Sequence, residues 1–184
     1  NDIAMRCNLI CLEDGKVKNH SAGHITSEES DQLLQTLKEK LGSDAFDLHT
    51  GVSYRHLFVG HGLSPELECA PPHDHPNEPV ETIMIEPKKP EAQDTAHFLN
   101  NLTRQSWEIL RDHPVNQKRI ADGKDPGNSI WLWSPGRLWV RRAKLPRPGR
   151  SGYRAPVPGC PGGGRSGGQG GGDAVGLPGT VRNR

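Results

Sequence analysis

Several familiar signals are missing from this chain of 184 residues. No run approaches the ~20 apolar residues of a membrane span, and no secretory signal leads the chain, so no membrane partner is expected. Cysteine is scarce: Cys7, Cys11, Cys69 and Cys160. Cys7 and Cys11 have no second pair to complete a zinc site, so the thiols read as reduced cysteines of a cytoplasmic protein. No serine sits in a nucleophile elbow. No Gly-rich loop ending in Lys-Ser/Thr follows a strand, which excludes the common phosphate loop. Acid is what the C-terminal part lacks. Residues 137–184 carry ten basic residues and the single acid Asp173, whereas residues 1–136 carry 13 Lys+Arg and 21 Asp+Glu.

The net charge therefore changes from −8 in the first part to +9 in the second, within a chain whose total is +1. All nine His lie in the first part, and 13 of the 22 Gly lie in the last 48 residues. A break in both charge and composition marks a boundary. Residues 1–137 are long enough for one domain with its own core. Residues 138–184 form a Gly/Pro/Arg-rich tail with too few apolar side chains to offset ordering entropy, and disorder is expected there. Such a tail could neutralise phosphates, but Trp139 and Tyr153 are too few aromatics for single-strand stacking. Nucleic acid is not the expected partner.

The first part has clear periodicity. Ile3–Leu12 reads as a core strand, and Glu13-Asp14-Gly15 turns it into a short partner at Lys16–Lys18. A chain that opens inside a buried strand suggests an internal segment of something longer. Thr26 and Glu29 have capping-box spacing. The helix they start carries Leu33, Leu34, Leu37 and Leu41 on one face and stops at Gly42. A strand pair is expected around Phe46–His49 and Val52–Val59. The prolines at 71, 72, 76 and 79 then forbid regular structure. A second helix spans Glu91–Leu110, with Ala92, Ala96, Leu99, Leu102 and Ser106 on one face, and ends before Pro114. A polar loop, "NQKRIADGKDPGN", leads to the strand Ile130-Trp131-Leu132-Trp133, which is expected to turn at Ser134-Pro135-Gly136. The class is α/β, or α+β layered: a small mixed sheet covered by two main helices, followed by the tail.

Two arginines stand out. Arg55 lies in the apolar strand "VSYRHLFV", and Arg6 in "IAMRCNLI" with Asn8 on the same face. An unpaired guanidinium is costly in such a setting, so each is expected to meet a carboxylate or face an anionic ligand. Both alternatives stay open at this point. His73-Asp74-His75 and His20/His24 invite a metal reading, but the first lacks a third ligand and the second is not helical. A surface role is the plainer expectation for these histidines. No catalytic centre is visible.

The stretches "DIAMRCNLICLEDGKVKNHSAGHITSEES", "GVSYRHLFV", "PPHDHP" and "ILRDHPVNQKRIADGKDPGNSIWLWSPGR" resemble, in order, the central segment of archaeal-type 2,3-bisphosphoglycerate-independent phosphoglycerate mutases, metalloenzymes of the alkaline phosphatase superfamily. The resemblance implies a glycolytic isomerase that interconverts 2- and 3-phosphoglycerate. Its phosphatase-like domain would hold two divalent metal ions (Mn, Mg, Zn or Co) and a serine nucleophile, and an inserted domain would grip the glycerate. This chain looks like that insert. Arg6 and Arg55 then become substrate-binding candidates, with Arg137 a third. The nucleophile and metal ligands of the family lie upstream and downstream of the matching stretches, so the fragment is expected to bind no metal and to be inactive alone, lacking its phosphatase-like partner domain. The alternative reading is a non-catalytic phosphate- or anion-binding module.

After Arg137 the family continues with ordinary strands and helices, whereas this chain turns Gly-, Pro- and Arg-rich, the residues of GC-rich codons. An out-of-frame reading accounts for the change. Retranslating the DNA one base either way past that codon is expected to yield phosphatase-like strands with Asp and His ligands. If neither frame does so, the tail is a natural appendage.

Overall fold

The computed structural model describes residues 2–138, so the readings made on the later tail lie outside the described residues. The organising element is the long strand β1 (Asp2–Glu13). It pairs antiparallel with β2 (Lys16–Asn19), through the Asp14-Gly15 turn whose positive φ values suit it. Helix α1 (Ser27–Leu41) follows, then the hairpin β3 (Phe46–Val52) and β4 (Arg55–His61). The short pair β5 (Leu67–Glu68) and β6 (Glu86–Pro87) brackets the Pro-rich passage. Helices α2 (Gln93–Leu110) and α3 (Pro114–Ala121) precede β7 (Ser129–Arg137). β1 lies between β4 and β7 in a five-stranded sheet. The layered class holds, and every described pairing in this sheet is antiparallel.

Side chains alternate across a strand, and β1 uses both faces. Ile3, Met5, Cys7 and Leu9 are buried against Leu33, Leu34 and Leu37 of α1 and Ala96, Leu99 and Leu102 of α2. The intervening residues turn the other way: Arg6 is exposed, and Ile10 joins a second cluster with Val17, Val80, Ile83 and Trp131. The capping box at Thr26 forms as expected, with Glu29 N donating to Thr26 Oγ1 and Thr26 N to Glu29 Oε2. Burial raises the Cys7, Cys11 and Cys69 thiols to about 12, which leaves three free but inert cysteines among the described residues.

Three expectations need correction. First, the chain does not turn at Ser134-Pro135-Gly136; β7 continues to Arg137. Ala4 faces Gly136 and Arg6 faces Trp133, so β7 carries one extra residue there. That is a β-bulge, with Ser134 at φ 56°, and a bulge tolerates a proline that has no N–H to give. Second, Val52 belongs to β3. The pairings His49↔Leu57 and Val52↔Arg55 place another bulge at Thr50-Gly51, and the hairpin turns at Ser53-Tyr54. A Cβ on Gly51 would lie 2.2 Å from the Arg55 carbonyl oxygen, so only glycine fits. Third, half of the supposed polar loop is α3. Pro114 ends α2, and the same ring at N1 opens the next helix, capped by His113 Nδ1 accepting from Val115 N.

Helix α3 carries a buried arginine that holds a strained turn. Ala22, Gly23 and His24 all have positive φ (48°, 59° and 53°), which disfavours Ala and His. Arg119, only 3% exposed, donates from Nη2 to the carbonyls of Ala22 and Gly23 and from Nε to that of Asp125. Its Nη1 pairs with Glu29 of α1 at 2.5 Å. Removing it strands several buried acceptors and a carboxylate. Arg119→Met is expected to cost about 3 kcal/mol in urea unfolding. An unchanged midpoint would show that the turn holds itself.

Candidate functional site

On the side of β1 away from α1 and α2 lies a hollow of about 630 Å³, lined by Arg6, Asn8, His20, Tyr54, Arg55, His56, His73 and Trp133. Its members come from five places. Arg6 and Asn8 are alternate residues of β1, and Trp133 stands opposite Arg6 on β7. Arg55 opens β4 opposite Asn8. His20 precedes the strained turn, and His73 lies in the Pro-rich passage between β5 and β6.

Both arginines are exposed, which corrects the premise that Arg55 sits in an apolar interior. Phe58 is buried on the other face of β4, while Leu57, on the arginine's own face, is exposed. Among the described residues neither Arg6 nor Arg55 has a carboxylate within ion-pair distance. Each is instead braced on an aromatic ring: Arg6 lies 4.7 Å from the Trp133 ring centre and Arg55 4.2 Å from that of Tyr54. Cation–π packing orients a guanidinium without using up its N–H donors, so both forks remain available to an anion. The aromatics are themselves held. Trp133 Nε1 donates to Asn8 Oδ1 at 3.4 Å, and the Tyr54 carbonyl accepts from Leu9 N at 2.9 Å. Ser53, just before Tyr54, donates from Oγ to the Ile25 carbonyl and from N to Ser27 Oγ, which ties the hairpin to the start of α1.

Arg137 does not join this hollow. It lines a separate one of about 300 Å³ with Asp2, Glu91 and Thr95 at the far end of β1. The resemblance grouped three arginines, and the fold brings two of them together. Sequence reasoning passed over Tyr54 and Trp133 as strand-formers and over His20 and His73 as surface residues. The signal available for the aromatics was register: Tyr54 directly precedes Arg55, and Trp133 belongs to a strand that could pair with β1.

His56 borders the hollow but is a buried residue of β4, alternating with Arg55 and paired with Cys7. Its Nδ1 accepts from Gly51 N at 3.1 Å, and its buried Nε2 has no partner among the described residues. Burial pushes its pKa down to about 4, against the attraction of Asp31. The ring is therefore neutral in the folded chain at neutral pH.

The hollow thus holds two guanidiniums braced on aromatic rings, with no carboxylate at ion-pair distance among the described residues. Residues 1–116 match the family described as 2,3-bisphosphoglycerate-independent phosphoglycerate mutase. The proteins of that name from Methanosarcina barkeri and Methanosarcina acetivorans are 42% and 44% identical to this chain over 137 residues, which are 74% of it and 33% of each of them. The fold is similar to that of the cofactor-independent phosphoglycerate mutase from Thermoplasma acidophilum, with a TM-score of 0.63 and 29% identity, covering 74% of this chain and 37% of that one. The chain belongs to the 2,3-bisphosphoglycerate-independent phosphoglycerate mutase family. It spans about a third of the length of the curated relatives it matches.

Among the described residues no three His, Cys, Asp or Glu side chains gather into a metal-ligating group. No described helix is long and apolar enough to cross a membrane.

The neutral His56 makes stability acid-sensitive. Its folded pKa lies below the ordinary 6.5, so its contribution is complete above pH 6.5 and is lost as pH falls towards 4. The loss amounts to about 3 kcal/mol at most. In urea titrations His56→Asn, which keeps an acceptor for Gly51 N, is expected to show a shallower decline between those pH values. Equal declines would remove His56 as the cause.

Proposed function

We propose that residues 1–137 are the substrate-binding insert domain of a phosphoglycerate mutase, in which Arg6 and Arg55 grip the phosphate or carboxylate of 2- or 3-phosphoglycerate. The observation that carries this reading is the pair of aromatic-braced guanidiniums lining one hollow without a carboxylate partner. An arginine fork matches phosphate and carboxylate in pairs of hydrogen bonds, and two such forks suit a ligand that bears both groups. Membership of the family supplies the ligand class. Arg137 sits at the exit of β7, alongside the start of β1, and is a weaker candidate because its hollow is a different one.

In this reading the chain is part of a cytoplasmic glycolytic isomerase. Its partner is a phosphatase-like domain carrying the nucleophile and two divalent metal ions. The insert holds the glycerate while the phosphoryl group moves between neighbouring hydroxyls, and its contribution is positioning and charge.

Titration calorimetry of the whole chain with 3-phosphoglycerate tests this. Binding is expected, weakened at least about tenfold by Arg55→Ala and similarly by Arg6→Ala, since a charge-assisted bond contributes about 1.5–3 kcal/mol. Absence of binding, or indifference to both substitutions, would refute the reading. No turnover of 3-phosphoglycerate is expected from the purified chain with manganese, and turnover would contradict the fragment reading; binding itself is shared with the alternative, a non-catalytic anion-binding module.

A further inference from the structure

Two titratable rings in the hollow have no part in the grip described so far. The imidazoles of His20 and His73 have centroids 6.1 Å apart. His20 packs edge-on to Tyr54 at 6.2 Å, and His73 edge-on to Trp133 at 5.5 Å. Each imidazole thus abuts the aromatic ring that carries one of the guanidiniums, and both line the same space. Both residues are exposed, so their protons exchange with solvent.

Resting on the reading that phosphoglycerate enters this hollow, we propose that His20 and His73 are further anion-binding residues, which take up protons as a phosphate-ester dianion seats between Arg6 and Arg55. The surroundings are cationic. Arg6 lines the space from β1 and Arg55 from the hairpin beside Tyr54, and His24, on the loop of His20, is close enough to act on that ring. Asp74 lies 3.6 Å from His73 Nε2, and the neighbouring His75 is engaged by Glu78. In the free chain His20 is held below its ordinary pKa, first by desolvation and then by His73, His24 and Arg55. An anion reverses that repulsion. By reciprocity, a ligand that favours the imidazolium forms binds more tightly when they are formed. An arginine-only site would have no such dependence beyond the ligand's own phosphate titration.

Nuclear magnetic resonance on the whole chain separates the two levels of this argument. The Trp133 indole N–H, which donates into the hollow's wall, reports occupancy, and the imidazole C–H signals report protonation. With saturating 3-phosphoglycerate the His20 and His73 titrations are expected to move to higher pH. Binding should tighten about tenfold more between about pH 8 and about pH 6 in the wild type than in the double variant His20→Gln/His73→Gln, whose residual dependence is that of the phosphate itself. Imidazole titrations that stay put while the Trp133 indole shifts would overturn the proton linkage and leave the arginine site standing. The same pH dependence in both chains would also overturn it. An indole unmoved at any concentration would defeat the underlying reading, and this inference with it.

Discussion

The two-residue alternation of β1 is the constraint on which the rest depends. One strand must bury Ile3, Met5, Cys7 and Leu9 under two helices while presenting Arg6 and Asn8 to the other side. A slip of one residue against β4 would move the guanidinium into the core and a methionine onto the open face, so the apolar layer itself secures the register of the site. The same register sets Asn8 opposite Arg55 and Arg6 opposite Trp133. Core packing and the placement of the two guanidiniums are two consequences of one pleat.

The site's walls are loops, and buried polar contacts hold them in place. Three consecutive residues with positive φ before α1 would be costly unless their carbonyls were well satisfied. Arg119 satisfies two of them and reaches Glu29 in the first turn of α1. Ser53 ties the β3–β4 hairpin to the same region. The loop of His20 and the turn that presents Arg55 therefore share one anchor. Asn128 provides a comparable clamp at the end of β1, accepting from Leu12 N at Oδ1 (2.7 Å) and donating from Nδ2 to the Leu12 carbonyl (2.8 Å).

Bracing the guanidiniums on aromatic rings has a functional logic. A carboxylate partner would orient an arginine but occupy the donors a ligand needs, as Glu81 does for Arg104 through two bonds. Trp133 and Tyr54 orient without competing. The cost is a concentration of positive charge in an open hollow. Arg137, at the other end of β1, shows that a matching residue in a matching stretch reaches a site only if its strand position brings it there.

By itself the sequence determined the layers: the capping box at Thr26, the Leu33–Leu37 stripe, the α2 face ending before Pro114, and β1. Each rests on local torsions or on a hydrophobic period read within one segment. It also carried the family likeness and singled out Arg6 and Arg55. Only the tertiary structure decided that those arginines are exposed rather than buried, and that Tyr54 and Trp133 brace them. It also decided that His20 and His73 join them while Arg137 does not. These facts depend on strand register and on two bulges, at Thr50-Gly51 and near Ser134, where one extra residue re-aims the side chains that follow. Such pairing between distant segments leaves no periodic trace in either segment alone.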